Sequence, residues 1–188
     1  MQIISGIARG LFLSTPKGYD LRPTAVRARK ALFDSIREFQ ELNVIDLFAG
    51  SGALGLEAAS RGASSVTFID NSRQHCKIIQ ENIEKLKKSG VDADMKLICG
   101  DASNPSFCTR NTQAPDLIFA DPPYADSPSY FDRFMRKTEN PGYFSGTLLI
   151  WELPDSKRDI KHFQSIAPWR IEKKRAFGST EFLYLKII

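Results

Sequence analysis

Short apolar runs alternate with helical stretches along most of the chain from residue 43 onward. The apolar runs predict five strands, over residues 44–48, 66–69, 95–99, 117–120 and 147–151. Between them, apolar positions at helical spacing predict helices over 54–61, 72–89 and 130–137. Strands that alternate with helices are typical of a doubly wound parallel sheet, so the pattern predicts an α/β fold.

Both ends of the chain depart from this alternation. Near the C-terminus, apolar runs at 169–171 and 181–187, with Gly178 between them, predict an antiparallel hairpin that brings the sheet to seven strands. At the N-terminus, runs at 3–7 and 10–13 predict a small hairpin, and apolar residues after Thr24 recur at helical spacing as far as Phe39. We therefore expect one α/β domain over residues 41–188, preceded by a hairpin and helix extension over residues 1–40.

The composition is that of an ordinary globular protein. The 188 residues are 42% hydrophobic and 26% charged, which suits a chain with a substantial core. The sequence shows neither a signal-peptide pattern nor an apolar run of the roughly 20 residues that span a bilayer, so we expect a cytoplasmic protein without membrane attachment. Cys76, Cys99 and Cys108 are odd in number and lack C-x-x-C spacing. We expect reduced, mostly buried thiols, and neither a disulfide framework nor a zinc site.

The net charge is unevenly distributed. The chain carries a formal charge of +4, and residues 1–40 hold seven basic and three acidic side chains, which accounts for the whole excess. A localised basic surface indicates a polyanionic partner such as a nucleic acid. A second basic run, between Lys157 and Arg175, either extends that surface or is simply solvated.

A glycine-rich loop joins the first predicted strand to the first helix of the domain. It reads Asp46-Leu-Phe-Ala-Gly50-Ser-Gly52-Ala-Leu-Gly55, and its glycines allow a tight turn and a close backbone approach to a ligand. Asp70 ends the second strand about 20 residues later, where an acid binds ribose hydroxyls, so both NAD and S-adenosylmethionine fit the pattern. Asp46 favours S-adenosylmethionine, because a carboxylate suits the ammonium of methionine and opposes a pyrophosphate. Asp101 follows the third strand, where it is placed to accept a hydrogen bond from an adenine amino group.

A second motif, Asp121-Pro122-Pro123-Tyr124, follows the fourth strand. Ligands of open parallel sheets bind at the carboxyl ends of the strands, and consecutive prolines make the loop stiff and leave its carbonyls bare. A carboxylate, a rigid carbonyl and an aromatic face together fit a planar ring that carries an exocyclic amine. The tetrapeptide resembles the (Asp/Asn)-Pro-Pro-(Tyr/Phe) motif of methyltransferases that modify exocyclic amino groups of nucleobases.

Beyond these two motifs, the chain resembles the bacterial 16S rRNA guanine-N2 methyltransferase family, of the small-subunit methyltransferase D type, over nearly its whole length. The resemblance is carried by these segments: Ser5-Gly6, Arg9-Gly10, Leu13 and Pro16, then Arg22-Pro23-Thr24, Arg27, Arg29 and Leu32-Phe33, the loop over 46–57, and the turn over 177–180.

The resemblance implies a class I S-adenosylmethionine-dependent methyltransferase fold, which is Rossmann-like. It implies N2-methylguanosine as the product, in 16S rRNA within the small ribosomal subunit or its assembly intermediate, made by a monomer that needs no metal. The implied cofactor residues are Asp46, Phe48, Gly50, Gly52, Gly55, Asp70, Asn71, Asp101, Ala102 and Asp121. The implied catalytic residues are Asp121, Pro122, Pro123 and Tyr124. The implied RNA-binding residues are Arg9, Arg22, Arg27, Arg29 and Lys30.

The chain departs from the family pattern at Ala25-Val26 and at Lys30, which concerns local RNA contacts, and at Asp70, where many members carry Glu. Two alternative functions stay open. An N6-adenine methyltransferase would use the same tetrapeptide, because the motif suits any exocyclic base amine. A noncatalytic RNA-binding assembly factor on the same fold is the alternative outside enzymes.

Overall fold

A seven-stranded sheet forms the centre of the protein. The computed structural model describes residues 1–16, 23–36, 38–110, 113–153 and 163–188. Within these ranges the strands are β1 (Asn43–Leu47), β2 (Ser65–Asp70), β3 (Asp94–Cys99), β4 (Leu117–Ala120), β5 (Leu148–Glu152), β6 (Trp169–Phe177) and β7 (Thr180–Ile187). Their order is β3-β2-β1-β4-β5-β7-β6, with β1 to β5 parallel and β7 antiparallel to both of its neighbours. The predicted sheet and its C-terminal hairpin are confirmed.

Helices cover both faces of the sheet. They are α1 (Pro23–Asp34), α2 (Ala53–Ser60), α3 (Arg73–Lys88), α4 (Ser106–Arg110) and α5 (Ser127–Arg136), followed by a 3-10 turn over Pro141–Phe144. Ser72 caps α3 by accepting a hydrogen bond from the backbone N–H of His75, as its position before the helical pattern leads one to expect. Helix α1 is shorter than predicted, since Phe39 lies beyond the helix and stacks on Phe33 instead.

The strands bury residues on both faces, which explains their continuous apolar runs. Val44, Leu117 and Phe119 face the layer that contains α1, α2 and α3. Ile45 and Ile118 face the layer that contains α4 and α5. This two-sided burial fixes the strands in register and holds their carboxyl ends in a row.

The N-terminal segment packs directly on α2. Gln2 and Phe12 form an antiparallel bridge, but the two strands predicted over 3–7 and 10–13 do not form as regular strands. The completely buried carboxylate of Glu57 accepts hydrogen bonds from the backbone N–H groups of Ile4 (2.7 Å) and Ser5 (3.0 Å) and from Nε of Arg61 (2.9 Å). These N–H groups therefore find their acceptor on a helix and not on a paired strand.

The cysteines differ from the prediction. A disulfide joins Cys76, at the start of α3, to Cys99, at the end of β3, with 6.3 Å between their Cα atoms. Residues 23 positions apart meet because α3 returns the chain to the strand that pairs with β2. Cys108 is a buried thiol outside the disulfide, as predicted, and burial raises its pKa to about 12.

None of the helices in the described ranges has both the length and the apolar content needed to cross a membrane.

Glu57→Ala is expected to lower the free energy of unfolding by about 3 kcal/mol, because two backbone N–H groups and Arg61 lose their buried acceptor. Chemical denaturation followed by circular dichroism measures the loss. Glu84→Ala removes an exposed carboxylate from α3 and is the control, with an expected change below about 0.5 kcal/mol. Equal stability of the two variants would contradict the anchoring role of Glu57.

Candidate active site

A cavity of about 550 Å³ opens at the carboxyl edge of the sheet. It brings together most of the residues that the sequence assigns to cofactor binding and catalysis. Those that line it are Asp46, Phe48, Gly50, Asp70, Asn71, Ala102, Asp121, Pro122, Pro123 and Tyr124. The glycine loop and the Asp-Pro-Pro-Tyr motif, which are about 70 residues apart in the sequence, thus border one space.

Two strand-end carboxylates hold the glycine loop. Oδ2 of Asp46 accepts a hydrogen bond from the backbone N–H of Gly55 (2.8 Å), and Oδ2 of Asp70 accepts one from that of Gly50 (2.8 Å). Gly50 and Gly52 have φ angles of 59° and 79°, which suit glycine and strain most other residues. At Gly55 a Cβ would lie 2.4 Å from the ring of Phe68, so this glycine serves close packing of α2 on the sheet.

His75 is a site residue that the sequence reasoning missed. Its Nδ1 lies 3.1 Å from Oδ1 and 3.2 Å from Oδ2 of Asp70, and its side chain lines the cavity. Oδ1 of Asp70 also accepts a hydrogen bond from the backbone N–H of Ser72 (2.9 Å). A partial signal was present in the sequence, because His75 stands in the first turn of α3, five positions after an acid at a strand end.

Phe48 is held in an unusual backbone conformation, with a φ angle of 57°. Bulky residues rarely adopt positive φ, and such strain is often found at functional sites. The ring of Phe48 stacks on that of Tyr130 (5.1 Å between centroids) and meets the edge of Trp151 (5.9 Å). These ring contacts hold Phe48 where it forms part of the cavity wall.

The acids in the cavity repel one another and are poorly solvated. Burial raises the pKa of Asp121 to about 6. Burial raises the pKa of Asp46 well above its ordinary value, despite the hydrogen bond from Gly55, and the charges of Asp121 and Asp70 raise it further. A cationic ligand would relieve this repulsion, so the cavity favours positive charge.

Tyr124 is oriented by an acid from the neighbouring strand. Its hydroxyl donates a hydrogen bond to Oε1 of Glu152 (3.0 Å), which ends β5 and also lines the cavity. Pro122 is buried and Pro123 is exposed, so the motif turns from the interior to the surface within two residues. Glu152, which the sequence left as either a pocket residue or a solvated strand end, belongs to the pocket.

Asp101 stands beside the cavity and not in its lining. Partial burial favours a higher pKa, but hydrogen bonds from Ser103 and the nearby Arg133 outweigh it and lower the pKa of Asp101 below its ordinary value. Oδ1 of Asp101 accepts hydrogen bonds from the N–H (3.0 Å) and the hydroxyl (2.6 Å) of Ser103. Its role toward an adenine amino group stays a prediction.

The predicted RNA-binding residues divide into two groups. Arg9, Arg27 and Lys30 are exposed, although Lys30 forms an ion pair with Asp34. Arg22 lies outside the described residues.

Arg29, which is also predicted to bind RNA, is buried, and its role toward RNA stays a prediction. It is only 9% exposed, lines the cavity, and donates a hydrogen bond to the backbone carbonyl of Gln2 (2.8 Å). The physical reason is its place on the helix, since Arg29 stands three and four residues before the fully buried Leu32 and Phe33 and so shares their face.

The N-terminal part of the chain closes one side of the cavity. This wall, which the sequence reasoning did not foresee, is formed by Met1, Pro16, Val26, Ala28, Arg29 and Leu32. Phe182 and Thr180 of β7 continue it. The wall is largely apolar and faces the carboxylates, which suits a planar ring with polar edges.

This chain is similar to several known proteins. Residues 1–186 match the model of the family described as conserved hypothetical protein 95. The chain is 33% identical over 127 residues to the ribosomal RNA small subunit methyltransferase D of Haemophilus influenzae, a match that spans 66% of this chain and 64% of that relative. It is 27% identical over 183 residues to the protein of the same name from Escherichia coli, which spans 97% and 87%.

A solved structure agrees with the fold. The putative methyltransferase yhhF from Escherichia coli matches with a TM-score of 0.75 at 26% identity, over 100% of this chain and 97% of that one. The predicted class I methyltransferase fold is confirmed.

Asp121 is expected to make stability depend on pH. Its pKa of about 6 exceeds the model-peptide value of 3.8, so the folded protein binds a proton more tightly than the unfolded chain does. This contribution is complete below pH 3.8 and is lost as pH rises through about 6, which amounts to about 3 kcal/mol. Asp121→Asn should therefore be more stable than wild type at pH 8 and nearly equal to it at pH 4, as measured by urea denaturation.

The control for this measurement is Asp126→Asn, which changes an exposed acid whose side chain does not cap α5. It is expected to follow the wild-type profile. A stability difference between Asp121→Asn and wild type that does not change with pH would contradict the assigned pKa.

Proposed function

Because the chain belongs to the conserved hypothetical protein 95 family and resembles ribosomal RNA small subunit methyltransferase D, we propose that it transfers a methyl group from S-adenosylmethionine to the exocyclic N2 amine of a guanine in 16S rRNA. The observation that supports this proposal most is the shared cavity. Asp121, Pro122 and Tyr124 line the same space as the glycine loop, so a base amine and a methyl donor can meet there.

The cavity fits the proposed cofactor. Its volume lies within the range of small-molecule sites, and at Gly50 the loop presents backbone without a side chain. Asp46, Phe48, Gly50, Asp70 and Ala102 would hold S-adenosylmethionine, since they combine buried carboxylates with an aromatic wall. The cofactor would supply a methyl group on a positively charged sulfur, and the acid-rich cavity favours such a cation.

Asp121 and the backbone of Pro122 act on the base amine. The amine has two hydrogens, one for the carboxylate of Asp121 and one for the carbonyl of Pro122. Accepting both hydrogens favours a pyramidal nitrogen with a directed lone pair. Positive charge develops on this nitrogen as the new carbon–nitrogen bond forms, and the fixed carboxylate stabilises it. With a pKa of about 6, Asp121 is also suited to take up the amine proton and release it to water.

Tyr124 and the apolar wall hold the base. Enzymes that act on a base bring it out of its stack, so the pocket must replace the lost stacking. The hydrogen bond to Glu152 restricts rotation of the Tyr124 ring, which preserves a fixed face for this purpose. Val26 and Phe182 border the same cavity from α1 and β7.

Asp121→Ala is expected to fold and to bind S-adenosylmethionine, yet to lose on the order of a hundredfold or more in the methyl-transfer rate. Asp121→Asn keeps an acceptor without the charge, so its rate should lie between those of wild type and Asp121→Ala. Single-turnover transfer to small ribosomal subunits that lack the modification measures these rates. Asp126→Asn is the control and should react at the wild-type rate. Near-normal turnover by Asp121→Ala would remove the proposed mechanism.

The reaction itself is tested by nucleoside mass spectrometry of small-subunit rRNA treated with the protein and S-adenosylmethionine. We expect N2-methylguanosine in amounts that match the methyl groups transferred. N6-methyladenosine as the product would assign the protein to adenine methylation instead. Cofactor binding by calorimetry together with no methylated nucleoside on RNA or on assembled subunits would favour a noncatalytic role.

A further inference from the structure

The edge strand β6 contains an irregularity that changes which face its basic residues occupy. Ile171 pairs with Leu185, but the next pair is Lys173 with Tyr184, so Glu172 and Lys173 together advance only one position on β7. This is a β-bulge, which redirects the side chains that follow it. Without it, Lys173 would stand opposite Leu183 on the other face of the sheet.

The bulge turns Lys173 and Arg175 toward the layer that contains α1. They pair with Tyr184 and Phe182, whose side chains pack in the same core as Leu32 and Phe33 of α1. Nζ of Lys173 lies 4.7 Å from the centre of the Tyr184 ring, and Cζ of Arg175 lies 5.8 Å from it. Both basic residues are nevertheless exposed to solvent. They therefore rest on Tyr184 and keep their charges in solvent.

Tyr184 also joins this strand to α1. Its hydroxyl lies 3.4 Å from Oγ of Ser35, the residue after α1 ends, and α1 contacts β6 directly. Arg27, on α1, is exposed as well. Basic residues about 150 positions apart in the sequence therefore stand on two elements that contact each other.

The other two basic residues at this edge differ in their surroundings. Arg170 pairs with Glu172 (2.7 Å), and Lys174 pairs with Glu181 (2.8 Å). Within the part of the chain that the structure describes, no carboxylate lies within ion-pair distance of Lys173 or Arg175. Two of the four basic residues of β6 are thus ion-paired and two are not.

The face with Lys173 and Arg175 borders the cavity. Arg175 is paired with Phe182, and Phe182 lines the cavity wall. On α1, Val26 lines the cavity and Arg27 follows it on the exposed side. The exposed Arg27, Lys173 and Arg175, which neighbour these lining residues, are called the rim.

We propose that Lys173 and Arg175, together with Arg27, bind phosphates of the RNA strand that enters the cavity. This inference rests on the proposed function and extends it to a second RNA-contacting segment. Basic side chains with free charge attract phosphates and release counterions, which supplies affinity without sequence recognition. Edge strands often carry charges merely to prevent sheet pairing, so the experiment must separate that role from RNA binding.

The test compares two double variants on the same strand. Lys173→Gln with Arg175→Gln removes both charges and keeps the first part of each aliphatic stem beside Tyr184. Arg170→Gln with Lys174→Gln removes two charges from the ion-paired positions and is the matched control. The probe is 16S rRNA transcribed in vitro, which carries no modifications, and its binding is measured by filter retention from 50 to 300 mM salt.

We expect the first variant to weaken binding by about tenfold at 150 mM salt. The negative slope of log K against log salt should become shallower by about 1.4, because two contacts with single-strand phosphates are lost. The control should stay within about twofold of wild type. Both variants should keep wild-type affinity for S-adenosylmethionine and a wild-type melting temperature.

Equal effects of the two variants, or no effect of either on an RNA that the wild type binds and methylates, would overturn this inference and leave the proposed function intact. RNA binding that depends on Lys173 and Arg175 without any methylation would support this inference and overturn the proposed function. Failure of the wild type to bind both this RNA and small ribosomal subunits that lack the modification would overturn both.

Discussion

The hydrogen bonds that two strand-end carboxylates accept from the glycine loop determine the geometry of the site. Asp46 binds Gly55 and Asp70 binds Gly50, so the loop is tied to β1 and β2 at both of its ends. These carboxylates are buried, which is costly unless strong donors are present, and backbone N–H groups meet that need. The wall of the cavity, the strained Phe48 and the start of α2 all take their positions from this loop.

Another buried carboxylate, that of Glu57, connects the N-terminal segment to helix α2. Glu57 lies two residues after Gly55, on α2, and accepts the backbone N–H groups of Ile4 and Ser5. The N-terminal segment therefore depends on a helix whose own start depends on Asp46. Met1 lines the cavity, and Arg29 of α1 binds the same segment through Sδ of Met1 and the carbonyl of Gln2.

The buried acids of the site lower the stability of the folded protein but are useful for the proposed chemistry. Burial raises the pKa of Asp121, which costs stability at neutral pH, and the charges of Asp121 and Asp70 add to burial in raising the pKa of Asp46. The closely placed acids give the cavity its preference for a cation, and burial leaves Asp121 with a pKa suited to accepting a proton. Arg27, Lys173 and Arg175 are exposed, whereas Arg29 lines the cavity together with the acids.

The sequence by itself determined the strands, most of the helices and the acids at the strand ends. These features follow from local periodicity and from the rule that parallel strands place their carboxyl ends together. Asp46, Asp70 and Asp121 could therefore be expected in one site although they are far apart in the chain.

Only the tertiary structure decided the features that depend on packing between distant segments. Arg29 is basic, like its exposed neighbours on the helix. It is buried because its spacing places it on the same face of α1 as Leu32 and Phe33, which pack against the sheet. His75 reaches Asp70, and Cys76 reaches Cys99, because α3 folds back on β2 and β3. The bulge at Glu172 moves Lys173 and Arg175 to the other face by a single extra residue, a change of register that alternation along one strand does not reveal.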